Sequence, residues 1–207
     1  MRILIPFKAS NPKSRLSDIL SFEERKKLVE LMLLDVVDAV KPFGNVKIVT
    51  PTEIDFDCDA DVVVDESELD IVVNRELDNI PVAIIMSDLP LLDKSTLSRF
   101  FESKGDVVIA PGRKGGTNML IVRKKGFKVS YHYGSFFKHL RFAKNNGFSI
   151  TIFDSFFSSI DIDERDDLLE LLLHGEGKKS YEYLKTIGFF VKFEKIPKLE
   201  RRFFMQS

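Results

Sequence analysis

Three cations, Lys8, Lys13 and Arg15, stand close together near the start of the chain, interleaved with Ser10, Asn11, Ser14 and Ser17. The apolar run Arg2-Ile3-Leu4-Ile5-Pro6 leads into them, and a helical pattern resumes only near Ser21. A buried strand, a basic polar loop and a helix make a phosphate site. Loop amides and the helix N-terminus face the anion, and Lys and Arg add full charges. The same residues also describe an exposed basic loop, so the rest of the chain has to decide.

Four further segments carry chemistry. Asp88 closes the apolar run Val82-Ala83-Ile84-Ile85-Met86. A carboxylate there is poorly solvated unless a cation meets it, and Mg²⁺ would serve, or Asp88 caps a turn before Pro90. Asp161 offers a second carboxylate, unless Asp161 or Asp163 caps the helix that follows. Gly115, Gly116, Thr117 and Asn118, with Arg113 and Lys114 before them, form either a second anion cradle or a plain hairpin. Gly134 and Ser135 open a helix and give a possible third anion site. His139 and His174 read as structural, and His132 stays open. No Ser-His-Asp or Cys-His pattern stands out, so covalent catalysis is not expected.

These residues need a frame. Strands are expected at 2–6, 46–50, 61–64, 82–86, 106–110, 119–122 and 149–153, and helices at 22–40, 67–78, 94–103, 135–146 and 164–173. Ser21 with Glu24 reads as a capping box, and Asp93 as a cap. The alternation predicts an α/β fold, a mostly parallel sheet with helices on both faces, whose ligands gather at the carboxyl ends of the strands. A chain of 207 residues fits a single domain, 1–207. Residues 176–207 change character and form a C-terminal extension, a helix over 178–187 and a strand over 189–193, packed on a sheet edge or a dimer partner.

The net charge of −1 and the single cysteine, Cys58, argue against bulk nucleic-acid binding, an intrachain disulfide and a cysteine-based metal cluster. No apolar run is long enough to span a membrane, and a cytoplasmic location is expected. Nineteen Phe and no Trp supply the core. The pairs Phe156-Phe157, Phe189-Phe190 and Phe203-Phe204 suit an oligomer contact.

Taken together, Pro6-Phe7-Lys8, Lys13-Ser14-Arg15-Leu16-Ser17, Met86-Ser87-Asp88-Leu89-Pro90-Leu91-Leu92, Gly115-Gly116-Thr117-Asn118, Gly134-Ser135-Phe136 with His139, and Asp161-Ile162-Asp163 with Asp167-Leu168 resemble the 2-phospho-L-lactate guanylyltransferases, the CofC family of coenzyme F-420 biosynthesis in methanogenic archaea. The likeness spans residues 1–173. The Gly-Gly-Thr-Asn block is its most specific part. Two departures stand out. Met86 replaces the first Asp of the Asp-x-Asp in bacterial relatives, and His132-Tyr133-Gly134-Ser135 replaces Gly-Pro-x-Ser.

The resemblance implies a Rossmann-like nucleotidyltransferase fold (nucleotide-diphospho-sugar transferase-like), Mg²⁺ dependence and homodimers. GTP and 2-phospho-L-lactate would give lactyl-2-diphospho-5′-guanosine and pyrophosphate, with phosphoenolpyruvate as the acceptor of the bacterial relatives. Lys8, Lys13, Ser14 and Arg15 would hold the triphosphate, and Asn74 would shape the nucleoside pocket. Asp88 and Asp161 would hold Mg²⁺. Gly115, Gly116, Thr117, Asn118, Gly134 and Ser135 would hold the acceptor. A nucleotidyltransferase with another phosphorylated acceptor, or a nucleotide-binding module without catalysis, remains the alternative at this stage.

Overall fold

The structure is a computed structural model that describes residues 1–10 and 12–202; Asn11 of the basic loop and the Phe203-Phe204 pair lie outside the described residues. β1 (Arg2–Pro6) sends Ile3 and Ile5 to one face of the sheet and Leu4 to the other, the alternation of a strand covered on both sides. After the basic loop, α1 (Phe22–Val40) begins at Ser21, whose hydroxyl accepts the Glu24 amide while Glu24 accepts the Ser21 amide. This reciprocal cap satisfies two amides that a helix start leaves unpaired. Leu28, Met32, Leu33, Val36, Val37 and Val40 form its buried stripe.

β2 (Asn45–Thr50) and β3 (Asp61–Val64) follow, then α2 (Leu69–Glu76), shorter than the expected 67–78. β4 (Val82–Ile85) is buried throughout, and Asp93 caps α3 (Lys94–Glu102) by accepting the Thr96 amide. β5 (Val107–Pro111) and β6 (Thr117–Val122) form a hairpin, with β6 starting two residues before the expected 119. α4 (Ser135–Asn145), β7 (Ile150–Ile152), the short α5 (Phe156–Ser159) and α6 (Arg165–His174) complete the alternation.

The strands make one seven-stranded sheet in the order β3-β2-β1-β4-β6-β5-β7. Every neighbouring pair is parallel except β4–β6 and β5–β6. The sheet is therefore mostly parallel, with β6 alone reversed. One core lies between the sheet and α1, α3 and α6; the other lies beneath α2 and α4. Helices cover both faces, as expected. Because β6 runs backwards, the β5–β6 hairpin tip emerges at the same sheet edge as the loops after β1 and β4.

The C-terminal segment does not extend this sheet. α7 (Lys179–Thr186) lies on α1 and α6. β8 (Phe189–Lys192) and β9 (Lys198–Arg201) pair only with each other. Asp35, buried in α1, holds α7 by accepting from the amides of Lys179 and Ser180 at 2.7 and 2.9 Å and from the Ser180 hydroxyl at 2.6 Å. Arg201 donates to the Ile19 carbonyl and pairs with Glu24. No helix among the described residues is long and apolar enough to cross a membrane.

Removing Asp35 leaves three donors, two of them buried, without their acceptor. Asp35→Ala is expected to lose about 2–3 kcal/mol in urea unfolding. An unchanged midpoint would show that α7 docks without this carboxylate.

Candidate active site

Four loops converge at the carboxyl edge of the sheet: residues 7–21 after β1, 86–93 after β4, the hairpin tip 112–116, and 153–164 after β7. The amide of Ile162 donates to the Asp88 carbonyl at 3.0 Å and ties the last loop to the second. Ile160 and Ile162 are fully buried. In extended chain successive side chains alternate, so Asp161 and Asp163 share the opposite side. They stand with Asp88 around one space. Neither caps α6. Glu164 does, accepting its own third helical amide, while Asp167 accepts the amides of Asp163 and Glu164 at 3.0 and 2.8 Å.

Lys13 fills that space. Its ammonium lies 2.7 Å from Asp88 Oδ2 and 2.6 Å from Asp163 Oδ1. The Lys13 backbone is left-handed, φ 47° and ψ 51°, a conformation that costs a non-glycine residue about 1–2 kcal/mol and that recurs at functional sites. Burial alone would lower the lysine pKa, but the two carboxylates outweigh it and raise it, so the ammonium is firmly charged. Burial also pushes Asp163 up, but Lys13, with help from Arg15 and Lys114, holds it below the usual carboxylate range. Asp161 is the opposite case. Burial first, then the charges of Asp88 and Asp163, raise it, because one ammonium does not neutralise three carboxylates. Asp88 is thus an ion-pair partner and not the turn cap considered from sequence.

The donor set around Lys13 is hard carboxylate oxygen, the chemistry that binds Mg²⁺ together with phosphate oxygens. A cation already sits between Asp88 and Asp163, so the space accommodates positive charge. Among the described residues no group of three or more His, Cys, Asp or Glu side chains is arranged to hold a metal by itself, and further oxygens would have to come from a ligand.

Beside this cluster lies a cleft of about 560 Å³. Lys8, Lys13, Ser87 and Asp88 line it, with the apolar side chains of Phe7, Met32, Val49, Val72 and Met86 and the polar ones of Asp65, Glu66, Glu68 and His132. Ser14 and Arg15 lie outside this lining. Ser14 is exposed, and Arg15, 62% exposed, faces Asp163 and Glu164 at 3.7 and 3.5 Å. Asn74 is also elsewhere. It donates to the carbonyls of Asp70 and Val129 and accepts the Val129 amide. Its side chain fastens the segment before α4 to α2, and Asn74 is not among the residues that line this cleft.

The hairpin tip reaches the same edge. β5 and β6 shift register at Ala110/Pro111, with Ala110 opposite Met119 and Pro111 opposite Thr117, so Asn118 is an inserted bulge residue. Bulges re-aim side chains. The Asn118 amide donates to the Ser158 carbonyl at 3.0 Å and reaches Asp161 at 3.4 Å. A Cβ on Gly112 would lie 2.5 Å from the Asn118 oxygen, so a larger residue there would push that side chain aside. Thr117 turns the other way, its hydroxyl 2.9 Å from His139 Nδ1. The Gly115 amide donates to the Gly112 carbonyl, and the Gly116 carbonyl accepts the Gly112 amide. The Gly115 amide is therefore engaged within the turn and is no free anion donor.

Gly115 also accepts the Phe136 amide at 3.2 Å, fastening the start of α4 to the hairpin and occupying one amide of the expected third anion site. Gly134, left-handed at φ 66°, precedes that helix, and Ser135 is buried at its first turn. From sequence, Asp163 is a candidate cap, and Arg113 and Lys114 add charge to the candidate anion cradle. In the structure Arg113 pairs with Asp167, and Lys114 pairs with Glu164 at 2.7 Å. The Ile-Asp-Ile-Asp alternation was the available signal for Asp163.

Comparison with known proteins bears on this site. The description "Guanylyl transferase CofC like" matches residues 1–206. The 2-phospho-L-lactate guanylyltransferase of Archaeoglobus fulgidus is 66% identical over 206 residues, covering 100% of both chains. That of Archaeoglobus profundus is 55% identical over 204 residues, 97% of each. Among solved structures, a protein assigned to the nucleotide-diphospho-sugar transferases from Desulfovibrio desulfuricans superposes with a TM-score of 0.73 at 15% identity, covering 89% of this chain and 94% of the other. A nucleotidyl transferase from Methanothermobacter gives 0.52 at 13% identity, covering 89% and 98%. These last two are likenesses of fold.

The ion pairs predict two behaviours. Lys13→Ala leaves Asp88 and Asp163 facing each other, so it should lower the melting temperature in chelator. Added Mg²⁺ should then raise it more in the variant than in the wild type. Equal Mg²⁺ shifts would separate Lys13 from any cation site. Burial pushes the His139 imidazole down to about 4 from 6.5. Between those values the unfolded chain binds a proton that the folded protein excludes. Stability therefore falls as pH drops through the window, by about 3 kcal/mol in all. His139→Gln should flatten that limb of a stability–pH curve; an identical slope would contradict the assignment.

Proposed function

We propose that this chain, which belongs to the CofC-like guanylyl transferase family, transfers the guanylyl group of GTP to 2-phospho-L-lactate. A phosphate oxygen of 2-phospho-L-lactate attacks the α-phosphorus of GTP, the bond to the β-phosphate oxygen breaks, and lactyl-2-diphospho-5′-guanosine and pyrophosphate leave. The attacking phosphate is already an anion, so the protein needs no strong base. Its work is to bring two anions together and to offset the charge that builds between them.

The observation that carries this reading is the Asp88–Lys13–Asp163 cluster beside a cleft lined in part by apolar side chains. On this reading Lys8 and Lys13, which line the cleft, meet the triphosphate, with Arg15 at the rim. The apolar side chains of Phe7, Met32, Val49 and Val72 suit a purine ring. Asp88, with Asp161 or Asp163, would hold Mg²⁺, which supplies Lewis-acid charge at the α-phosphate when bound. On that reading Lys13 releases the carboxylates to the ion and turns its charge to the triphosphate. On the same reading Thr117, Ser135 and Asn118 serve the acceptor. Phosphoenolpyruvate presents the same phosphate and carboxylate and is the competing acceptor. A cytoplasmic homodimer belongs to the same reading, the dimer being measurable by sedimentation.

Pyrophosphate release across four nucleoside triphosphates, with 2-phospho-L-lactate and phosphoenolpyruvate as acceptors, tests the reading. GTP with 2-phospho-L-lactate should be fastest, and no turnover with that pair would overturn it. Asp88→Asn should lower turnover by about 100-fold or more at saturating substrates, the scale of losing a principal electrostatic group. A near-normal rate would remove Asp88 from the reacting centre.

A further inference from the structure

We propose that His139 is a positioning residue that fixes the Thr117 hydroxyl as a hydrogen-bond donor toward an anionic oxygen of the acceptor substrate. The inference rests on the reaction proposed above and adds to it a residue that touches no substrate.

The argument is one of proton placement. The Ser130 amide donates to His139 Nε2 at 2.9 Å. Only an unprotonated ring nitrogen accepts, so the one proton of the neutral imidazole is on Nδ1. Nδ1 lies 2.9 Å from Thr117 Oγ1. Nδ1 is then the donor and Oγ1 the acceptor, and the hydroxyl proton of Thr117 has no acceptor among the described residues. Thr117 is only 4% exposed and His139 1%. Buried donors are seldom left unpaired, so this proton is available to a ligand oxygen.

The surroundings hold that arrangement. The Tyr131 and Phe127 rings pack against the imidazole at centroid distances of 5.2 and 6.1 Å. Burial keeps the ring neutral at ordinary pH. The Met86 amide donates to the Asn118 carbonyl at 3.0 Å, which carries the β4–β6 ladder one residue beyond the Ile85–Met119 pair toward Thr117. Ser135 lies one turn before His139 on the same face of α4. It is 3% exposed, and its hydroxyl makes no side-chain hydrogen bond among the described residues. Thr117 on β6 and Ser135 on α4 thus carry hydroxyl donors unspent among the described residues, a pair that complements a small acceptor carrying a phosphate and a carboxylate.

Two measurements test this. The first is the ¹⁵N spectrum of the wild-type imidazole, which distinguishes a proton on Nδ1 from one on Nε2. A proton on Nε2 overturns the proposal whatever any variant does. The second is steady-state kinetics. His139→Gln can still meet the Ser130 amide but has no donor at Nδ1. It should raise the KM for 2-phospho-L-lactate by about tenfold and leave the KM for GTP within about twofold. His139→Asn restores a donor at Nδ1 and should recover most of the loss. In a Thr117→Val background, His139→Gln should add nothing. Equal shifts in both KM values, or an undiminished effect in that background, also overturn it. Wild-type protein that turns over no phosphorylated three-carbon acid would instead remove the reaction, and with it the acceptor for Thr117.

Discussion

The site depends on one ammonium held between two carboxylates. Asp88 comes from the loop after β4, Asp163 from the loop before α6, and Lys13 from the loop after β1. Each loop alone would carry its charge into water. Together they create a low-exposure anionic space that tolerates the protein's own cation. The supporting contacts serve this juxtaposition. The Ile162 amide fixes the spacing of two loops, Asp167 gathers the backbone around Asp163, and buried Ile160 and Ile162 orient the intervening carboxylates. Lys13 accepts a left-handed backbone to be there, a local cost that the ion pairs offset.

The reversal of β6 is the second constraint. In an all-parallel sheet the segment after β5 would return through a helix, and its contribution to the carboxyl edge would be a single turn. Here β5 turns straight back, so the tip of a tight hairpin occupies the edge. Its bulge then sends neighbouring residues to opposite sides. Asn118 goes to Ser158 and Asp161, and Thr117 goes to His139 on α4. One strand end thereby connects the acidic cluster with the helix that opens at Ser135, and Gly112 leaves room beside Asn118.

What the sequence revealed follows from what is local. β1, α1 with its capping box, and the Asp93 cap are encoded by period and by residues three apart, and they stand as expected. The location of the site at the carboxyl edge follows from the alternation of elements. The glycine segment reads as a hairpin or an anion cradle and leaves the direction of β6 open, because an apolar run buried on both faces reads the same either way; the structure has the hairpin. Asp163 was left beside Asp161 as a capping candidate because the choice depends on Asp167, which competes for the same role. Asn74 looked available because its partner, the Val129 backbone, lies 55 positions away. The engagement of the Gly115 amide and the tautomer of His139 likewise depend on contacts that no spacing in the chain announces.

The C-terminal hairpin has a consequence in time. Arg201 grips the Ile19 carbonyl and Glu24, and so fixes the end of the basic loop and the start of α1. The two ends of the contact to Ile19 are 182 positions apart. A ribosome therefore makes the loop long before its clamp. Until β9 is made, the growing chain carries Lys8 and Lys13 without the arginine that anchors the end of their loop. A nascent product cut short before β9 would hold the cleft residues but lack that clamp, so the fixing of the loop arrives with β9 rather than with the sheet.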